Sequence, residues 1–416
     1  MTLQFAGLPL ESNWRSIESR RVLHERLDPI RESDEIVTCF RDGQVTLRSN
    51  RRVEGFTNAI KEHGYKAVEP GDLVVHSMDA FAGAIGVSDS RGKMSPVAGV
   101  YEVPDGDSRF IAYYLRACAW SGLIESLAKG IRERSTSFDR QSLAGLRIPD
   151  RPLEEQRRIA DFLDDQVTRI DALVQLRRLE LDQILLGQKG AIAQAAWEAD
   201  EFIPLSRIAD VRVSNINKHQ LPGETPVSLC NYQDIYYRDR ICGDQEFMQS
   251  TASTNQIFKF ELATGDVLFT KDSETADDIA IAAYVESTFS GLVLGYHCGL
   301  ARPLTVHGSY LYWMFRSDYV RQQLTVSATG VTRVGLKLSA LRSCLIPVVP
   351  SEEQQRVADR LWDLSDRVNT VLDLVEFSIA TLIERKRALI TAAVTGQLDV
   401  ATARPIAITS KSRGIK

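Results

Sequence analysis

The chain has 416 residues, 44% of them hydrophobic and 25% charged, with a net charge of −5. That is the make-up of an ordinary globular protein, long enough for roughly two to four domains. The opening MTLQFAGLPLESNW has no basic segment leading into an apolar run, and no stretch approaches the ~18 apolar residues of a membrane span, so neither a signal peptide nor a membrane anchor is expected. Cys39, Cys118, Cys230, Cys242, Cys298 and Cys344 show no CxxC spacing, which argues for reduced thiols in the cytosol and against a metal cluster or disulfide frame. A pI of about 5.8 neither demands nor excludes a nucleic-acid partner. The globular stretches are balanced in charge, acid gathers in two helical stretches, and Arg404, Lys411, Arg413 and Lys416 make the tail basic.

Residues 1–12 read as a lead-in. Ala67–Asp89 reads as turn, strand, Gly-containing turn and strand, and Met94–Val103 as a further strand pair. Arg109–Ala128 has helical apolar spacing suited to covering a sheet, and Gly130–Asp139 is a polar, basic loop. Ile148–Asp165, IPDRPLEEQRRIADFLDD, then opens a long helix from about Leu153 to Trp197. Its seam at Leu163, Val167, Ile170, Val174, Leu181, Ile184 and Ala191 has coiled-coil spacing, and Gly187 and Gly190 suggest a late kink or fray.

The whole pattern then returns. Thr264–Val285 matches the Gly-Asp strand-turn-strand, Ser309–Val326 the covering helix, and Ala328–Pro347 the polar loop. IPVVPSEEQQRVADRLWD, Ile346–Asp363, lies 198 residues after its first copy and opens a helix to about Thr395. The seam recurs at the same offset: Leu163 and Leu361, Ile170 and Val368, Val174 and Leu372, Leu181 and Ile379. Self-similarity of this kind means one structural unit built twice. Two amphipathic helices that each follow a globule, and that cannot stay unpaired in water, would pair antiparallel with the globules at opposite ends. Some 40 residues of helix span about 60 Å, close to two turns of B-DNA at about 34–36 Å each.

With those residues in view, the chain resembles the specificity subunit of a Type I restriction–modification system, from about Trp14 to about Leu398. The carriers are the duplicated IP-x-x-P-x-EEQ string, the paired Gly-Asp segments, and the closing AAVTGQL (Ala392–Leu398). The resemblance implies an α+β fold: two pseudo-repeated mixed α/β target-recognition domains separated by two long antiparallel coiled-coil helices. Its boundaries would be 1–152 for the first recognition domain, 153–199 for the first spacer helix, 200–350 for the second domain, 351–398 for the second helix, and 399–416 for a basic tail. It further implies a cytoplasmic, non-catalytic reader of a bipartite, asymmetric site in double-stranded DNA. Two modification subunits and restriction subunits would be its partners. S-adenosylmethionine, ATP and Mg would sit in those partners, with no cofactor in this chain.

The residues that match the family's DNA-facing segments are His76, Ser77, Met78 and Asp79 in the first repeat, and Lys271, Asp272 and Ser273 in the second. From the two polar loops come Arg132, Arg134, Ser135 and Thr136, then Thr332 and Arg333. Arg can hold guanine O6 and N7, Asp can accept from cytosine N4, and Ser or Thr can serve base or phosphate. The run Arg48–Arg52 is a further phosphate candidate, against an exposed turn. Tyr232, Tyr236 and Tyr237 could stack on bases, but at strand and loop spacing they read better as half-buried packing. The acids of each EEQ suit the positive end of a helix dipole. Lys271–Asp278, KDSETADD, lacks the regular spacing of a calcium loop. No phosphate loop, HExxH or Asn-Pro-Pro-aromatic run is present, so no catalytic residue is expected. Two other readings stay open at this stage: a self-contained methyltransferase or nuclease with duplicated recognition domains, and a protein-only adaptor.

Overall fold

The computed structural model describes residues 6–51, 64–128 and 137–402. Two compact units make up the chain: Met1–Arg177 with Phe377–Lys416, and Arg178–Glu376. The division falls inside both long helices, Leu153–Trp197 and Ser351–Val394, so each unit holds part of each.

In the first unit a four-stranded antiparallel sheet runs His24–Glu25, Ala98–Glu102, Leu73–His76, Ile85–Val87. Ser108–Trp120 covers it, burying Phe110, Tyr114 and Leu115. Asp107 caps this helix by accepting from the Arg109 and Phe110 amides. The expected covering helix breaks at Gly122, whose φ of +79° suits only glycine well, and a short turn Leu123–Leu127 follows.

The second unit repeats this wiring with additions. Its five-stranded sheet runs Ala209–Val213, Cys298–Pro303, Val267–Thr270, Ala282–Val285, Arg240–Ile241, under the helix Gly308–Arg316. The register of the central strands is the same in both. Leu73, Val74, Val75 and His76 face Tyr101, Val100, Gly99 and Ala98. Val267, Leu268, Phe269 and Thr270 face Ala301, Leu300, Gly299 and Cys298. The Gly-Asp pair explains why each strand starts where it does. Gly71 (φ +93°) and Gly265 (φ +94°) make the left-handed turn. Buried Asp72 and Asp266 then close it by accepting from the Glu69 (2.8 Å) and Ala263 (2.7 Å) amides, while also holding Arg26 and Arg302.

The long helices pair antiparallel. In the first unit the start of one, at Ile159, Ala160 and Leu163, shares a core with the end of the other, at Ile390, Ala393 and Val394, and Lys386 pairs with Asp171. In the second unit Ile192, Ala195 and Ala196 meet Val357, Ala358 and Leu361, and Gln188 donates to Ser365 (3.1 Å). Gly187 and Gly190 produce no break; both are solvent-facing with nothing close by, and the helix continues to Trp197. Residues 232–237 differ from the strand-and-loop expectation. They form a short helix, because Asn231 accepts from the Gln233 amide (2.9 Å) while Asp234 accepts from the Asn231 amide (2.8 Å), a reciprocal cap.

The joint between globule and helix rests on the Gln of each EEQ. Gln156 accepts from the Asp107 amide (3.0 Å) and donates to the Arg151 carbonyl (2.7 Å). Gln354 accepts from the His307 amide (2.9 Å) and donates to the Val349 carbonyl (3.0 Å). Both side chains are buried, so each amide ties the cap of a covering helix to the chain that enters a long helix. Gln354→Leu strands one backbone donor and one acceptor and is expected to cost the second unit about 2–3 kcal/mol. Glu352→Gln, at an exposed position of the same turn, is expected to stay within about 0.5 kcal/mol. Denaturant titration checks the difference, and hydrogen exchange at the His307 amide checks its place.

Candidate nucleic-acid interface

In the second unit the two sequence-predicted segments meet. Asp272–Ser273 pairs antiparallel with Val334–Gly335, Asp272 opposite Gly335 and Ser273 opposite Val334. The Leu336 amide donates to the Lys271 carbonyl (3.0 Å). Glycine at 335 leaves room for the Asp272 carboxylate: a Cβ there would lie 2.6 Å from Asp272 Oδ1. Thr329 and Gly335 exchange both backbone hydrogen bonds (3.1 and 2.9 Å), closing a loop whose tip carries exposed Thr332 and Arg333. Arg333 has no ion-pair partner among the described residues, so its guanidinium keeps its donors for an outside acceptor.

Behind that loop sits a charged relay. Lys271 Nζ binds one oxygen of Asp272 and His297 Nδ1 binds the other. Burial alone would raise the Asp272 carboxyl, but the Lys271 and His297 contacts outweigh it and hold the carboxyl below its ordinary value. Both oxygens are thus engaged, so Asp272 positions Lys271 more readily than it accepts from a base. Sequence reasoning missed His297, whose ring centroid lies 3.9 Å from that of Tyr296 and whose φ is +70°. Nothing in local spacing links it to a residue 25 positions away; only its place opposite the Lys271 amide does, where its carbonyl accepts at 2.9 Å.

The first unit places His76, Ser77 and Asp79 at the matching point. The Ser77 amide donates to the Val97 carbonyl (3.0 Å), its hydroxyl donates to the same carbonyl (2.6 Å), and the Phe138 amide donates to the Ser77 carbonyl (2.9 Å). Arg132, Arg134, Ser135 and Thr136 lie outside the described residues. Asp79 pairs with Arg41 (2.8 Å) and with His76 (3.4 Å). Burial lowers the His76 pKa and Arg41 adds to this, while Asp79 opposes them. A concave pocket of about 690 Å³ joins these groups to Arg48 and Arg51 of the basic run. Arg51 lies over the Phe40 ring (4.2 Å) and pairs with Asp42 (2.7 Å). Arg52 falls outside the described residues.

The tyrosine run lies beside the second unit's paired segment, with the Tyr232 hydroxyl next to Ser273 and Thr270. Tyr236 donates to Asp278 (3.0 Å) and stacks near Tyr232 (5.7 Å), and Tyr237 is exposed. Asp278 is thereby occupied, and among the described residues no group of three or more His, Cys, Asp or Glu is placed to hold a metal ion.

With the duplicated units and their paired segments in hand, the chain can be set against solved structures. One match is a chain from a structure of the assembly and conformational transition of the type I R-M system. It aligns over 94% of this chain and 99% of its own, at 16% identity and a TM-score of 0.72. A second is the HsdS subunit from Thermoanaerobacter tengcongensis, over 94% and 98%, at 17% identity and a TM-score of 0.50. The chain has the fold of an HsdS subunit. No protein-family model matches the sequence, and no curated protein does. At these identities the likeness is one of fold, and the side chains at the paired segments are this chain's own.

The Asp272 relay has a pH signature. A carboxyl held below its unfolded value stabilises the fold above that value and loses the effect as pH falls through the folded one. Asp272→Asn is therefore expected to destabilise the second unit at pH 7, with the penalty fading once the pH drops below about 3.9. Urea titrations of both proteins between pH 7 and pH 2 check this, and a penalty independent of pH would contradict it.

Proposed function

We propose that this chain is a non-catalytic DNA-recognition subunit of a Type I restriction–modification assembly, reading one half of a bipartite site with each unit. The observation that carries the reading is the repeated register, which sets an equivalent strand-to-loop pairing at the same point of both units. The fold likeness to HsdS supports it. Arg333, Thr332, Lys271 and Ser273 are the proposed contacts in the second unit, with Asp272 holding Lys271. His76, Ser77 and Asp79, joined by Arg132, Arg134, Ser135 and Thr136, are those in the first. Base contacts would come from the loop tips and phosphate contacts from flanking arginines such as Arg48.

On this reading the chemistry belongs to partners. Two modification subunits, with S-adenosylmethionine, would methylate adenine N6, and restriction subunits, with ATP and Mg, would cleave. The long helices offer those partners a surface. In the second unit Leu179, Leu186 and Leu374 are exposed, off the buried seam, with Leu179 and Leu186 a heptad apart on one face. The same helices, continuous through the division between units, would set the number of unread base pairs between half-sites. Among the described residues no helix is long and apolar enough to cross a membrane, and the cytoplasm, where host DNA lies, is the proposed location.

Selection from a random duplex library, with modification subunits of the same locus present, is expected to return two unlike half-sites at fixed spacing. A contiguous palindrome or no motif would contradict the reading, as would saturable S-adenosylmethionine binding by the pure chain. Affinity independent of salt would point to a protein adaptor. Arg333→Ala is expected to weaken binding about tenfold and to relax the sequence of one half only.

A further inference from the structure

The equivalent backbone bonds fix which side chains of the two units correspond. Ser77 and Lys271 each donate to the opposite strand's lead-in residue, Val97 and His297, and each accepts from the returning chain, at Phe138 and Leu336. Ser77 therefore matches Lys271, Met78 matches Asp272, and Val97 matches His297. The two sets differ in chemistry. Met78 is 40% exposed and Val97 37%, and the Ser77 hydroxyl proton is already committed to the Val97 carbonyl. At the matching positions the first unit therefore presents two apolar side chains, Met78 and Val97. In the second, all three positions are charged or ionisable. The Lys271 ammonium has three donors, one on Asp272, and Asp272 is itself fixed by His297.

The major groove offers one apolar feature, the thymine C5-methyl, and one site with two adjacent acceptors, guanine O6 and N7. Building on the DNA-recognition reading, we propose that the units read chemically different base edges: Met78 and Val97 contact a thymine methyl, and Lys271 binds O6 and N7 of a guanine. Asp272 and His297 are positioning residues for Lys271. The left-handed backbone at His297, rare for a residue with a Cβ, is the strain that this placement costs.

The test uses the full chain in its assembly and duplexes carrying the selected bipartite site. Each thymidine is replaced in turn by deoxyuridine, which removes only the methyl, and each guanine by 7-deazaguanine, which removes N7. At one thymine of one half-site, deoxyuridine is expected to weaken binding about fourfold, and the double variant Met78→Ser/Val97→Thr is expected to abolish that sensitivity. At one guanine of the other half-site, 7-deazaguanine is expected to weaken binding about tenfold. Lys271→Met should remove this sensitivity, Lys271→Arg should keep it, and His297→Asn, which tolerates the left-handed backbone, should reduce it. Sensitivities that are missing, that fall in the same half, or that survive in the Ser/Thr and Met variants overturn the inference while specific binding persists. If no specific site is selected at all, the DNA-recognition reading fails and the inference with it.

Discussion

A buried amide side chain that spans two backbone groups is the constraint on which the rest depends. Gln156 and Gln354 each satisfy an amide at the cap of a covering helix and a carbonyl on the segment entering a long helix. Because an unmet buried backbone group costs about 1–3 kcal/mol, each globule and its helix cannot turn about their joint without paying for it. The same joint, made once in each unit, gives both units the same internal frame.

Within that frame the sheets do the positioning. Strand pairing allows a side chain only two directions, so a shared register delivers corresponding residues to corresponding places. The Gly-Asp turn starts the strand, the covering helix fixes its back, and the returning chain pairs beside its end. What remains free to vary is the handful of side chains at that end. The two units use this freedom in opposite ways, one apolar at Met78 and Val97, the other charged at Lys271, Asp272 and His297.

Much of this was legible from residue order alone. The 198-residue repeat, the helix starts and the apolar seam depend on short-range periodicity, which the sequence carries directly. The Gly-Asp signature marked the turn for the same reason. The joint at Gln156 and Gln354 was not read from the sequence. Helix-dipole reasoning accounts for Glu154, Glu155, Glu352 and Glu353 but says nothing of a neutral Gln, whose partners lie 49 and 47 residues away. The helix at Tyr232–Tyr237 was also readable, since Asn231 and Asp234 stand at capping-box spacing. His297 was not. Its pairing with Asp272 follows from which strands lie side by side, and no local pattern encodes that. The bearing of Asp272, a candidate acceptor on its residue type, changed once both its oxygens proved to be taken.

The central claim is that one reading unit is built twice and that the continuous long helices fix the interval between the two readings. The most direct measurement maps methylated adenines in a host carrying the intact locus, and again with one heptad removed from the middle of each long helix. Seven residues shorten a helix by about 10 Å, the rise of about three base pairs. The account predicts a bipartite motif whose halves are unchanged and whose spacer loses about three base pairs. Altered half-sites with an unchanged spacer would contradict it.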